Sequence, residues 1–126
     1  MADTELRAFR TAQGEVPLFE WLAELDGKIR KKCIARIREL AKQGFRLQPP
    51  LAKPLRDGII ELRPKTGRVN YRILYFFHNR KAILTHGLTK EGKVPDEDIH
   101  YAIACREAVR HNESAQTTIL PTEFFQ

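Results

Sequence analysis

The chain has 126 residues, of which 42% are hydrophobic and 30% charged, so one globular domain is expected and a disordered protein is excluded. The net charge of +6 is unevenly distributed: residues 1–27 and 94–126 each carry −4, and residues 28–52 and 53–93 each carry +7. Concentrated positive charge is typical of polyanion binders, because neutralised phosphates release their counterions.

Hydropathy and cysteine usage predict a cytoplasmic protein. No apolar run approaches the roughly 18 to 20 residues of a membrane span, and Met1 to Arg10 lacks the apolar core of a secretory signal. Cys33 and Cys105 are far apart and fit the apolar stripes of two predicted helices. We therefore expect two buried free thiols, with no disulfide or metal site between them.

A strand followed by a helical hairpin is predicted in the first third of the chain. Weak alternation between Thr4 and Thr11 indicates a short strand. Pro17 suits the first position of a helix, whose apolar residues repeat at helical spacing until Asp26-Gly27. A second helix is predicted from Lys28 to Gln43, with Gly44 ending it.

An antiparallel meander is predicted in the middle of the chain. Pro49, Pro50 and Pro54 predict a connecting loop over residues 45–56, since proline is excluded from helix interiors and central strands. The runs that follow are rich in β-branched and aromatic residues and predict three strands: Ile59 to Arg63, Val69 to Phe77 and Lys81 to Leu88.

The C-terminal part is predicted to hold one more helix. It begins at Pro95, has acidic residues in its first turn and ends near His111. Residues 112–126 are expected to form a flexible tail outside a domain of residues 1–111, the alternative being a segment that docks on its own sheet or on a partner. The predicted fold is α+β, in the order β-α-α-β-β-β-α, with helices against one face of a small antiparallel sheet.

Several kinds of enzyme site are disfavoured. The sequence has no phosphate-binding P-loop, dinucleotide glycine fingerprint, nucleophile elbow or HExxH zinc pair, so no cofactor is expected. Within the basic middle, residues 53–93 hold only Asp57, Glu61 and Glu91 as acids, whereas a two-metal nuclease needs several converging carboxylates. No metal is expected either.

Cations cluster around the predicted sheet and could bind a phosphate backbone. They are Arg63, Lys65, Arg68 and Arg72 along the second and third strands, and Lys90 and Lys93 after the fourth. Arg72 shares a strand face with Leu74 and Phe76, and the opposite face is predicted to be core. Arg72 is thus either a buried structural arginine or a phosphate clamp.

Four runs of the sequence together resemble a known family. They are Lys53-Pro54-Leu55-Arg56-Asp57-Gly58-Ile59-Ile60-Glu61-Leu62-Arg63, Tyr71-Arg72-Ile73-Leu74-Tyr75-Phe76, His86-Gly87-Leu88-Thr89-Lys90 and Lys93-Val94-Pro95. Their order and spacing resemble the HigB-type, phage-derived branch of the RelE/ParE toxins, over about residues 5 to 111. The resemblance implies a RelE-like fold of two helices packed on an antiparallel sheet.

The resemblance also implies a toxin of a type II toxin–antitoxin system. Such toxins are metal-independent endoribonucleases that cleave messenger RNA, often on the ribosome, and so inhibit translation. A cognate antitoxin, often a helix-turn-helix protein, silences them. The implied chemistry is attack of the ribose 2′-hydroxyl on the adjacent phosphorus, with cations stabilising the developing charge.

The resemblance assigns roles to several of these cations. Arg63 matches a substrate-binding arginine, Arg72 a phosphate-stabilising arginine, and Lys90 lies close to a third cation. The other substrate-binding candidates are Lys53, Lys65, Arg68 and Lys93. The RelE pattern has two lysines where this chain has Ile59 and Glu61, which leaves acid and base work to other groups.

The candidates for proton transfer are His86, His100 and Tyr101. A histidine titrates near neutrality, whereas a tyrosine would serve only with a pKa lowered by nearby cations. Two alternatives to a ribonuclease are left open: a ParE-like toxin that inhibits DNA gyrase, and a nucleic-acid-binding module without catalytic activity.

Overall fold

The computed structural model describes residues 3–64, 67, 69–121 and 124. No helix among these residues is long and apolar enough to cross a membrane. The helices are α1 (Pro17–Glu24), α2 (Gly27–Gln43), α3 (Asp96–His111) and α4 (Glu113–Gln116), and the strands are β1 (Leu6–Phe9), β2 (Ala52–Pro54), β3 (Ile60–Leu62), β4 (Tyr71–His78), β5 (Lys81–Thr89) and β6 (Thr117–Ile119). The predicted α+β class is confirmed.

The strands form one sheet in the order β2-β3-β4-β5-β1-β6. The predicted antiparallel meander is confirmed in β3, β4 and β5. β1 is the exception to the antiparallel pattern, because it pairs with β5 in parallel. A bulge in β5 leaves Thr85 between the pairs that His86 and Leu84 make with β4.

The helices cover both faces of the sheet, so the prediction that they pack against one face is wrong. The hairpin of α1 and α2 covers the face that carries Ile73 and Tyr75. Helix α3 covers the opposite face, which carries Leu74 and Phe76. The reason is that β4 is apolar on both faces, and each face needs a helix to exclude water.

The segment predicted to be only a connecting loop contains a short strand. Residues 52–54 form β2, which pairs with β3 at the edge of the sheet. An edge strand tolerates Pro54 because only one side of the strand has to supply hydrogen bonds. The prolines of this segment exclude a central strand, as predicted, but they do not exclude an edge strand.

Helix ends follow the local signals in the sequence. Pro17 is the first residue of α1, and the Asp26 side chain accepts a hydrogen bond from the Lys28 N–H at the start of α2. Gly44 ends α2 with a positive φ of 55°. Cys33 and Cys105 are free and buried as predicted, and burial raises their pKa values to about 11 and about 12.

The C-terminal segment docks on the domain. Residues 113–116 form the short helix α4, and β6 adds to the sheet beside β1, with Thr117 opposite Phe9. Farther along, Phe124 contacts Phe19 of α1, with ring centroids 5.9 Å apart. A flexible tail was expected from its polar composition, and residues 113–119 follow the alternative of docking on the chain's own sheet.

Candidate functional site

Two of the predicted cations lie on the sheet face that α3 covers. In the register of the sheet, Arg72 of β4 lies opposite Leu88 of β5, whose side chain belongs to the core beneath α3. Glu61 of β3 lies opposite Leu74, which belongs to the same core. Arg63 follows Glu61 by two residues and reaches back to it.

Glu61 binds both arginines through their Nε atoms. Its Oε1 accepts a hydrogen bond from Arg63 Nε at 3.0 Å, and its buried Oε2 lies 3.0 Å from Arg72 Nε, an ion pair without hydrogen-bond geometry. The exposed fraction of the side chain is 1% for Glu61, 7% for Arg72 and 39% for Arg63. We call these three residues the arginine–glutamate cluster. Its formal charge is +1.

A buried guanidinium nitrogen of the cluster has no hydrogen-bond partner among the described residues. Nη1 of Arg72 is buried and has no hydrogen-bond partner within the described part of the chain. A buried N–H group without a partner is costly, and a charged one more so. Arg72 is therefore both a buried, ion-paired residue and a residue with unused capacity to bind an anion.

A cavity adjoins the cluster. It has a volume of about 230 Å³ and is lined by Arg63, Pro64, Gly67, Val69, Asn70, Tyr71 and Arg72. Both arginines line it, whereas Glu61 does not. The two arginines therefore belong to the cavity wall, and the carboxylate that contacts them does not.

Three of the four predicted lysines, Lys53, Lys90 and Lys93, are exposed and lie near the cluster. The backbone N–H of Lys90 donates to the carbonyl of Asn70, which lines the cavity, at 3.3 Å. Lys93 follows in the same loop, and Lys53 of β2 lies opposite Glu61 in the register of the sheet. The remaining predicted cations, Lys65 and Arg68, lie outside the described residues.

His86 and Tyr101 lie together in a different cavity. Their ring centroids are 4.8 Å apart at an angle of 81°. This second cavity of about 430 Å³ is lined by Pro17, His86, Gly87, Glu97, Asp98 and Tyr101. It shares no lining residue with the cavity at the arginines. The structure therefore divides the predicted catalytic set between two cavities.

The environment of these groups limits their acid–base chemistry. Burial lowers the pKa of His86 despite its contact with Asp98, and both ring nitrogens are engaged, one by Asp98 and one by Thr85. Burial raises the pKa of Tyr101 to about 12, so the condition for a tyrosine base, a pKa lowered by cations, is not met. His100 is exposed on α3.

Sequence reasoning did not identify three polar residues that organise these two cavities. Glu61 was noted only as a departure from the RelE pattern, although its spacing from Arg63 places both on one strand face. Asp98 was interpreted as an acid of the first helical turn, and Thr85 was not singled out. The contact of Asp98 with His86 depends on how α3 packs on β5, which no local pattern specifies. Thr85 contacts its neighbour His86 at the bulge in β5.

A known protein family matches most of the chain. The family model described as "Phage derived protein Gp49-like (DUF891)" matches residues 20–107, more than two thirds of the chain. The matched range includes the arginine–glutamate cluster and both cavities except for Pro17. No curated protein matches the chain.

Proposed function

Because this chain belongs to the phage-derived Gp49-like family, we propose that it is the toxin of a type II toxin–antitoxin system. In this proposal it belongs to the HigB-type branch of the RelE/ParE toxins and acts in the cytoplasm as a messenger RNA endoribonuclease that inhibits translation. The family's grouping with RelE and HigB-type toxins supports the toxin role. The arginines at the 230 Å³ cavity support the nuclease activity.

The observation that carries the proposal is the unpartnered Nη1 of Arg72. Arg72 lines a cavity together with a second arginine, Arg63, and its Nη1 is buried beside that cavity. Paired arginines with free N–H groups match the geometry of phosphate oxygens, which accept hydrogen bonds in pairs. RNA brings both such a phosphate and, on the neighbouring ribose, a nucleophile.

The reaction proposed is a transesterification within RNA. The 2′-oxygen forms a bond to the adjacent phosphorus and loses its proton, while the bond from phosphorus to the 5′-oxygen breaks and that oxygen gains a proton. The products are a 2′,3′-cyclic phosphate and a 5′-hydroxyl. Arg63 and Arg72 stabilise the negative charge that builds on the phosphate oxygens, and Lys90 adds a third cation at the end of the sheet.

The proposal predicts that Arg72→Ala lowers the rate of RNA cleavage by about 100-fold or more, the usual loss when a charge-stabilising donor is removed. Arg72→Lys keeps the charge but loses the planar fork, so we expect an intermediate rate. The assay incubates messenger RNA with the purified protein in chelator, with and without ribosomes, and identifies the cyclic phosphate. Arg46→Ala, which replaces an exposed arginine after α2, is the matched control.

Two outcomes, one of this assay and one of expression in cells, would contradict the proposal. Strict metal dependence would exclude the charge-stabilisation mechanism drawn above. Intact RNA together with altered DNA supercoiling in induced cells would favour a gyrase inhibitor.

A cognate antitoxin is the partner proposed. The grouping of the family with toxin–antitoxin modules supports such a partner, and the +7 charge of residues 53–93 suits an acidic segment that competes with RNA. We expect the co-expressed antitoxin to form a stable complex in which cleavage of RNA is abolished. A complex that cleaves RNA at the rate of the free toxin would count against this mode of inhibition.

A further inference from the structure

We propose that Glu61 is a positioning residue, which holds the two guanidiniums so that their outer N–H groups face the cavity and bind one phosphate. This inference rests on the proposed function. The carboxylate contacts both arginines at Nε and contacts neither at a terminal Nη atom within the described residues. Each guanidinium has five N–H groups, so four on each arginine remain for other partners.

Glu61 is held in place by the strands on either side of it. Its strand, β3, is paired on one side with β2 and on the other with β4. The backbone next to it is fixed as well, because the Arg63 N–H donates to Leu51 and the Arg63 carbonyl accepts from Arg36 Nε at 3.0 Å. A long arginine side chain gains a defined direction from such a fixed carboxylate.

The charge at this position explains why the chain departs from the RelE pattern. Two guanidiniums whose Nε atoms share one carboxylate repel each other less, because the carboxylate lies between them. A lysine in place of Glu61 would put three cations at a site where Glu61 is 1% exposed and Arg72 is 7% exposed. With glutamate at this position, two arginines line one cavity and no further counter-ion is needed to offset their repulsion.

The alternative is that Glu61 is merely a structural counter-ion. In that case its removal would lower stability and leave the chemistry of the folded enzyme unchanged. A positioning role predicts instead a loss in kcat that is transmitted through the arginines. Misplacing a reacting or binding group by about 1 Å is enough to cost about 100-fold in rate.

The first test compares Glu61→Gln with Glu39→Gln, a matched control on α2. Glutamine has the same shape as glutamate, but its amide group cannot accept from both arginines. With an RNA oligonucleotide as substrate, we expect Glu61→Gln to lower kcat by about 10-fold to 100-fold and to change KM by less than about threefold. An unchanged kcat in folded Glu61→Gln protein would overturn the inference.

A double-mutant cycle tests whether Glu61 acts through Arg72. Residues that act as one unit show strongly non-additive effects on rate. We expect Glu61→Gln to lower kcat less in the Arg72→Ala background than in wild type, because only Arg63 then remains for Glu61 to orient. Additive losses would show that Glu61 acts independently of Arg72, and the inference would fall.

A measurement on the wild-type protein keeps the inference testable if the variants do not fold. In ¹H–¹⁵N spectra we expect two arginine Nε–H signals that exchange slowly with water, since the Arg63 group donates to Glu61 and the Arg72 group is buried in an ion pair with it. Inorganic pyrophosphate should shift both signals together. Rapid exchange of both signals, or no response to pyrophosphate, would contradict the inference.

Two results distinguish failure of the proposed nuclease from failure of the positioning role. Wild-type protein that binds pyrophosphate at both arginines but leaves RNA intact would refute the proposed nuclease and support the positioning role. Wild-type protein that cleaves RNA as fast as its Glu61→Gln variant would support the nuclease and refute the positioning role.

Discussion

His86 connects β5 to α3 through both of its ring nitrogens. Its Nε2 lies 3.0 Å from Asp98 Oδ1, and its Nδ1 lies 2.9 Å from Thr85 Oγ1. The Thr85 hydroxyl donates its proton to the Leu74 carbonyl at 3.1 Å, so its oxygen faces Nδ1 as an acceptor and the contact does not require a proton from Thr85. Burial lowers the pKa of His86 below 6.5, so the ring is neutral in the folded protein at neutral pH.

The lowered pKa of His86 predicts a loss of stability in mild acid. The unfolded chain binds the proton more readily than the folded chain, so the free energy of unfolding should fall as the pH drops below about 6.5, and His86 should cause no change above it. His86→Gln keeps an amide donor toward Asp98 but cannot titrate. Urea unfolding at pH 7.5, 6.5 and 5.5 should show a smaller loss for this variant than for wild type.

Equal losses for wild type and His86→Gln would show that another group causes the acid sensitivity. His78, which lies 3.2 Å from Glu113, provides the control. His78→Gln should leave the pH dependence attributed to His86 in place.

Gly87 of β5 allows α1 to approach the sheet. A Cβ at this position would overlap the indole ring of Trp21. We therefore expect Gly87→Ala to destabilise the protein by about 1 to 3 kcal/mol, the usual cost of overpacking. Thermal unfolding measures this cost, and Gly27→Ala is the control, since a Cβ at Gly27 has no atom within 4 Å. Equal Tm values for the two variants would mean that α1 shifts away from the sheet without any loss of stability.

At the scale of elements, polar bonds hold the C-terminal segment against β1. Arg7 Nε donates to Thr117 Oγ1 at 2.7 Å, and Gln116 Nε2 donates to the Arg10 carbonyl at 2.6 Å. Thr117 is buried. Since β6 pairs with β1, these contacts leave β6 rather than β1 at the sheet edge.

Removing residues 117–126 should therefore loosen β1. Without β6, the outer side of β1 loses its ladder hydrogen bonds and becomes an exposed edge. We expect amide hydrogen exchange to accelerate at residues 7–9 by about tenfold or more, while the β4 and β5 amides stay protected. Unchanged exchange at residues 7–9 in the truncated protein would show that β6 contributes nothing to the stability of this edge.

At the scale of the whole molecule, the positive charge lies on two different faces. Residues 28–52 include α2, which packs on the sheet face opposite the arginine–glutamate cluster. Residues 53–93 contain the cluster and the loop with Lys90 and Lys93. The two regions carry the same net charge of +7, so total charge does not distinguish them, but their positions do.

This separation predicts unequal effects of two matched double substitutions. Lys90→Ala with Lys93→Ala should reduce the slope of log K against log salt for RNA binding by about 1.4, because each phosphate contact with a single strand contributes about 0.7. Lys28→Ala with Lys32→Ala removes two exposed lysines of α2 and should leave the slope almost unchanged. Fluorescence anisotropy with a labelled RNA at several salt concentrations measures both. Equal slopes for the two variants would mean that RNA contacts both the α2 face and the face that carries the cluster.

The sequence by itself determined the elements whose signals are local. The spacing of apolar residues predicted α1, α2 and α3, and the Pro17, Gly44 and Pro95 signals placed helix ends within about a residue. Alternation within β4 placed Tyr75 in the core and left the role of Arg72 open. Such signals are readable because a helix or strand repeats its environment every few residues.

Tertiary structure alone decided which of these residues meet. The register of β3 against β4 brings Glu61 to Arg72, and the crossing of α3 over the second sheet face brings Asp98 to His86. It also separates the His86 and Tyr101 cavity from the arginine cavity. Contacts between residues 11 or more positions apart depend on strand register and helix packing, which the whole core determines at once and no local pattern encodes.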